Sequence, residues 1–138
     1  MSGYKSVASG NLGPEARALL DGRNYAVLAT YRPDERVQQS VMWVLREDND
    51  LLFSTIEGRV KHRNLLRDNR ASAVVYNAAD PEEYVAVEGT VSIHDDSSST
   101  FSNVISHKYT GADHVESDPS NVRVVLRLRP DRATYRAG

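Results

Sequence analysis

Between Asn24 and Ile56 three strand-like stretches follow one another with only short polar turns between them, and this spacing constrains the fold more than any other feature of the chain. Asn24 to Tyr31 sets Tyr25, Val27, Ala29 and Tyr31 against Ala26, Leu28 and Thr30; both sets are largely apolar, which predicts a strand covered on both faces. Arg32-Pro33-Asp34-Glu35 makes a hairpin turn with Pro33 at its second position. Val37 to Leu45 is read as one strand, with Val37, Gln39, Val41, Trp43 and Leu45 on one face and Gln38, Ser40, Met42 and Val44 on the other. Glu47 to Asp50 then turns the chain into a third strand, Leu51 to Ile56. Turns this short join antiparallel neighbours, because a parallel pair needs a crossover of roughly a dozen residues or more.

The rest of the chain extends the pattern. Ala71 to Tyr76 reads as a fourth strand, Asn77 to Glu83 as an acidic loop, and Tyr84 to His94 as a long fifth strand with Gly89 at a bulge or bend. Asn121 to Arg129 has one apolar face (Val122, Val124, Leu126, Leu128) and one largely basic face, and Ala133 to Arg136 can add to the sheet. Helices are predicted at three places. The first begins at Pro14 and stops at Gly22; the second starts near Arg59 or Val60, with Leu65 and Leu66 inward; the third carries Phe101, Val104, Ile105 and Tyr109 and ends at Gly111. With helices only there, the chain is expected to be mainly β, a six- to seven-stranded antiparallel barrel rather than a parallel α/β sheet. A length of 138 residues suits one domain, here residues 13–138 preceded by a loose 1–12. Asp113 to Ser120, the most polar loop, is expected to be mobile.

Composition removes several functions. A formal charge of -2 and a pI of about 6.1 argue against general nucleic-acid binding, whose footprint is a basic domain. No apolar run approaches a membrane span and the first residues lack the core of a signal peptide, so no membrane association and a cytoplasmic location are expected. The absence of cysteine excludes disulfides, thiolate metal sites and a cysteine nucleophile. His62, His94, His107 and His114 include no pair at helical metal-site spacing, so no metal is expected. With no phosphate-binding glycine loop and no nucleophile motif, a catalytic role would rest on a cofactor.

One local feature runs against the global charge. From Gly58 to Arg70 the chain carries Arg59, Lys61, Arg63, Arg67 and Arg70 against the single acid Asp68. Ser54 and Thr55 lie at the end of the preceding strand, Gly58 allows a sharp turn, and the helix that follows opens with free N–H groups. Two readings fit these residues. A phosphate could meet the hydroxyls, the helix amides, the Arg59 guanidinium and the Lys61 ammonium within one turn of chain. Alternatively Arg59, Arg63 and Arg67, at i, i+4 and i+8, form a solvated helix face.

The stretches NYAVLATYRPDERVQQSVMWVL, LLFSTIEGRVKHRNLLRDNRASAVV, EYVAVEGTVSI and VRVVLRLRPDRATY together resemble the pyridoxamine 5'-phosphate oxidase-like split β-barrel family. The likeness is greatest to its branch that uses the deazaflavin F420. The resemblance implies an F420-dependent oxidoreductase that passes a hydride between the bound cofactor and a small organic substrate. The runner-up uses FMN as cofactor, and a further alternative is a non-catalytic protein that binds a flavin, haem or another ligand. The resemblance places the cofactor phosphate at Ser54, Thr55, Arg59 and Lys61, and the ring along Ser40, Val41, Met42 and Trp43. It implies a homodimer with cofactor sites at the subunit interface, making Tyr84 and Arg123 candidates from the second chain. Arg63, Arg67, Arg127 and Arg129 are further cations that the polyglutamate tail of F420 could meet. Relatives often carry Pro or Asn where this chain has Val41, and an aromatic residue near Glu82, so the substrate does not carry over.

Overall fold

The structure is a computed structural model that describes residues 5–7 and 10–138. In chain order its elements are β1 (Lys5–Val7), α1 (Pro14–Asp21), β2 (Tyr25–Tyr31), β3 (Val37–Met42), β4 (Leu45–Glu47), β5 (Asp50–Ile56), α2 (Val60–Arg67), β6 (Arg70–Asn77), β7 (Asp80–Asp95), α3 (Thr100–Thr110) and β8 (Arg123–Arg136). Hydrogen bonding runs in the order β3-β2-β6-β7-β8-β5-β4, with β1 added to β8, and every pairing is antiparallel. The two ends of that path, β3 and β4, are separated in sequence only by Trp43 and Val44. The sheet therefore has to curl until its ends meet, which makes a split β-barrel.

That corner corrects the expectation of one strand from Val37 to Leu45. Met42 is still paired with Ala26 on β2, whereas Leu45 is already paired with Leu52 on β5. Between them the backbone is satisfied from α3: Val44 N–H donates to Tyr109 Oη at 3.1 Å, and Val44 C=O accepts from Lys108 Nζ at 2.6 Å. Alternation of side chains continues through such a corner, so sequence periodicity does not register the change of partner.

Inside the barrel Leu28, Leu51, Phe53, Leu126 and Leu128 are fully buried, and α1 closes one end with Leu19 and Leu20. The bulge at Gly89 is where expected, with a register shift between Glu88 and Gly89 opposite Pro130 to Arg132 of β8. Several other expectations need correction. The loop foreseen from Asn77 to Glu83 is a two-residue turn, Ala78 and Ala79, because Asn77 already pairs with Asp80. The two C-terminal segments are one strand, β8. In α2 Leu65 is buried but Leu66 is 66% exposed, and His62 and Asn64 turn inward instead. Asn64 Nδ2 donates to the buried Thr30 Oγ1 at 3.1 Å, and Thr30 Oγ1 lies 3.1 Å from Gln38 Oε1, so a polar anchor sets the helix rotation. β2 is covered on one face only in the single chain, since Ala26, Leu28 and Thr30 are buried while Val27 and Ala29 are half-buried. Of the expected loose segment 1–12, residues 1–4, 8 and 9 lie outside the described residues; Lys5–Val7 pair with Ala133 to Tyr135, and Leu12 is in the core.

Candidate functional site

Where β5 ends, the chain turns through Gly58 at φ +88° and enters α2 with Arg59 at its N-cap. Nothing lies within 4 Å of a Cβ built on Gly58, so the glycine answers the left-handed backbone and not a lack of space. The buried His62 ties the turn, its Nδ1 accepting the Gly58 N–H at 3.0 Å. No side chain caps the helix, leaving its first N–H groups open.

These groups border a cavity of about 490 Å³. The phosphate candidates Ser54, Thr55, Arg59 and Lys61 line it together, and so do the strand candidates Val41, Met42 and Trp43. Arg123 also lines it, within the same chain, because β8 pairs with β5 so that Arg123 stands opposite Ile56. Ser40 and Tyr84 do not line it. The Ser40 hydroxyl is buried two residues from Met42 and has no hydrogen-bond partner among the described residues. Tyr84 lies with Val74, Tyr76 and Pro81 on a separate apolar surface.

Charge and polarity are divided within the cavity. The side chains of Arg59 and Lys61 have no hydrogen bond or ion pair among the described residues. Burial, with the neighbouring Arg59 charge second, pushes the Lys61 ammonium below the ordinary lysine pKa. Ser54 Oγ lies 3.1 Å from Ser102 Oγ, which donates to the buried Asp96 carboxylate at 2.7 Å. Asp96 also accepts the Phe101 and Ser102 N–H groups, both at 2.9 Å, and so caps α3 and fixes the floor under Ser54. At the apolar end Trp43 stacks on Tyr109, with ring centroids 5.0 Å apart and planes 4° from parallel, and Tyr25 stacks behind at 6.0 Å.

Four lining residues, Tyr25, Ser102, Ile105 and His114, were not foreseen. Three come from α3 and the loop after it, which no short motif connects to β5. That loop is also a correction, because the stretch expected to be mobile is pinned. Glu116 accepts from Arg123 Nε at 2.7 Å, from Arg123 Nη2 at 3.2 Å and from Asn121 Nδ2 at 2.9 Å, and meets His114 Nε2 at 2.8 Å. Alternating charge in His114, Glu116 and Arg123 was the only available signal.

The bonds from Arg123 first, then from Asn121 and His114, hold the Glu116 carboxyl well below the usual carboxylate range. Its folded pKa is depressed, so this clasp contributes stability above the unfolded value near 4.5 and loses it as pH falls from there. Thermal melts should accordingly show Glu116→Gln less stable than the parent at pH 7, with the gap closing at acid pH. A gap of constant size from pH 7 to 3 would contradict the assignment.

The other cations have different surroundings. Arg127 is engaged by Glu47 Oε1 at 2.6 Å and Asp50 Oδ2 at 2.7 Å, so it is not free for an anionic ligand tail. Arg63 and Arg67 border a second, surface cavity of about 500 Å³ together with Arg32 and Arg36.

A family model described as pyridoxamine 5'-phosphate oxidase matches residues 12–137. The chain belongs to this family. Among solved structures it is similar to an F420 reductase, with 28% identity and a TM-score of 0.77 over 86% of this chain and 95% of that one. It also resembles a conserved hypothetical protein from Mycobacterium tuberculosis (23% identity, TM-score 0.74, 95% and 89% of the two chains). General stress protein 26 from Bacillus anthracis is a third (21%, TM-score 0.67, 86% and 88%). The last two share the fold, and the pyridoxamine 5'-phosphate oxidase family is one of flavin-type oxidoreductases.

Proposed function

We propose that this family member is an F420-dependent oxidoreductase that transfers a hydride between the cofactor and a small organic substrate in the cytoplasm. The observation that carries the reading is the pairing of two unpartnered cations, Arg59 and Lys61, with an uncapped helix start and two strand-end hydroxyls in one cavity. A volume of about 490 Å³ falls in the usual range of roughly 300–1,000 Å³ for cofactor pockets. The donor set fits the group: cations and N–H groups for a phosphate at one end, and Val41, Met42 and Trp43 as an apolar wall for a flat ring at the other. The F420 reductase at 28% identity favours the deazaflavin over FMN.

Bound cofactor would supply the hydride itself. The chain's task is placement. Arg59 and Lys61 bind the phosphate, Ser54 and Thr55 orient it, and Val41 and Trp43 exclude water from the ring face. Titration of the purified protein with F420 and with FMN, followed by absorbance and fluorescence, tests the reading; tighter binding of FMN would overturn the choice of cofactor.

The same proposal includes a homodimer with the site at its interface. Its support is the outer face of β2, β3 and β6, where Val37 is 51%, Val41 68% and Val74 39% exposed on one side of the sheet. In this arrangement the partner's Tyr84 approaches the cavity. Sedimentation should give twice the chain mass at micromolar concentration, and a monomer there would remove the shared-site model.

A further inference from the structure

We infer that His114 is the catalytic proton donor and acceptor of this site, held in register by Glu116 as a positioning residue; the inference rests on the oxidoreductase reading above. His114 lines the cavity with Arg59, Lys61 and the apolar wall, and its side chain is only 16% exposed. Its placement is fixed from three directions. The His114 N–H donates to Asn103 Oδ1 on α3 at 2.9 Å, its Nε2 meets Glu116 Oε2 at 2.8 Å, and Glu116 is gripped by Arg123 from β8 and by Asn121. An ionised carboxylate only accepts, so Nε2 carries a proton in both forms of the ring. Nδ1, without a partner among the described residues, is then the nitrogen that gains and loses a proton.

The carboxylate–imidazole pairing is the arrangement that holds a general acid–base histidine in one tautomer. Among the residues lining the cavity, imidazole is the side-chain type whose charge changes between about pH 5 and 8. The chemistry that needs such a group is reduction of a conjugated carbonyl or quinone. The acceptor carbon takes the hydride and its π pair moves to oxygen; that oxygen takes the proton from His114 Nδ1, and water reprotonates the ring. The cofactor loses the two electrons the acceptor gains. Glu116 faces His114 from the same loop, and the charged and titratable groups that line the cavity with it are Arg123 from β8, Arg59 and Lys61 from the start of α2, and Tyr25 from β2, while α3 presents the neutral Asn103.

A built-in control exists. His107 makes a comparable pair with Asp113, Nε2 to Oδ1 at 2.6 Å, but on the surface and away from the cavity.

The first test uses cofactor-free protein labelled with 15N-histidine. Long-range 1H–15N spectra should show His114 protonated at Nε2 in its neutral form, and Glu116→Gln should weaken that tautomer preference while leaving the His107 signals in place. The second test follows oxidation of pre-reduced F420 by menadione in single turnovers between pH 5.5 and 8.5. Parent rates should fall as pH rises, because the step consumes a proton carried by the ring. His114→Gln should bind F420 within about twofold of the parent yet react at least about tenfold more slowly, without that pH dependence. His107→Gln should change neither rate nor profile. Parent-like rates and profile in His114→Gln, or a neutral His114 protonated at Nδ1, overturn the proposal and leave the cofactor reading standing. A parent that binds F420 but leaves menadione unreduced also overturns it. Failure of the parent to bind F420 or FMN removes both.

Discussion

Lys61→Ala is expected to weaken F420 binding at least tenfold, a loss of about 1.4 kcal/mol or more for a charge-assisted contact to phosphate. The expectation follows from the cost already present in the free protein, where Lys61 is held partly buried beside Arg59 with its pKa lowered by desolvation. Such a charge is stabilised when an anion arrives, so its removal should appear in ligand affinity more than in folding. Arg59→Lys should also weaken binding, because an ammonium cannot reproduce the forked contact of a guanidinium. Arg67→Ala is the control: the same charge is lost from the same helix, but Arg67 borders the other cavity and donates to the Tyr31 carbonyl. Affinity should further decline as pH rises through the lowered Lys61 pKa. Equal weakening by Lys61→Ala and Arg67→Ala, with Arg59→Lys like the parent, would reveal a diffuse basic field instead of a phosphate site, and parent-like affinity in all three would make the helix face merely solvated.

Gly89→Ala is expected to destabilise the fold by at least about 3 kcal/mol in urea denaturation, at the upper end of overpacking effects. A Cβ on Gly89 would lie 2.0 Å from the Arg129 carbonyl oxygen and 2.9 Å from its carbon, both backbone atoms that no rotamer change can move. The backbone of β8 runs close against Gly89 here, at the bulge that bends the two longest strands around the barrel. Gly58→Ala is the informative comparison, since nothing lies within 4 Å of that Cβ and only the positive φ of +88° resists it, at about 1–2 kcal/mol. Losses of equal size at the two positions would contradict the close approach of β7 to β8.

Much of this architecture could be read before any contact was known. Short polar turns dictated antiparallel neighbours, Gly89 marked the bulge, and Gly58 followed by a basic helix marked the sharp turn into α2, because each depends on backbone geometry within a few residues. Eight of the ten residues singled out from the chain, all but Ser40 and Tyr84, line one cavity. Other features required distant partners. Leu66 loses its inward place to Asn64 because Thr30, from β2, offers a buried hydroxyl to bond. The break at Trp43 and Val44 exists because Tyr109 and Lys108 of α3 satisfy the corner backbone. Arg123 and His114 enter the cavity through the β5–β8 register and the clasp on Glu116, across more than fifty residues of sequence from Ser54. Local propensity and spacing therefore determined the strands, the bulge and the basic turn at the start of α2, whereas the wall opposite that turn was decided by tertiary structure, since hydrogen bonds between remote segments leave no periodic trace in the chain.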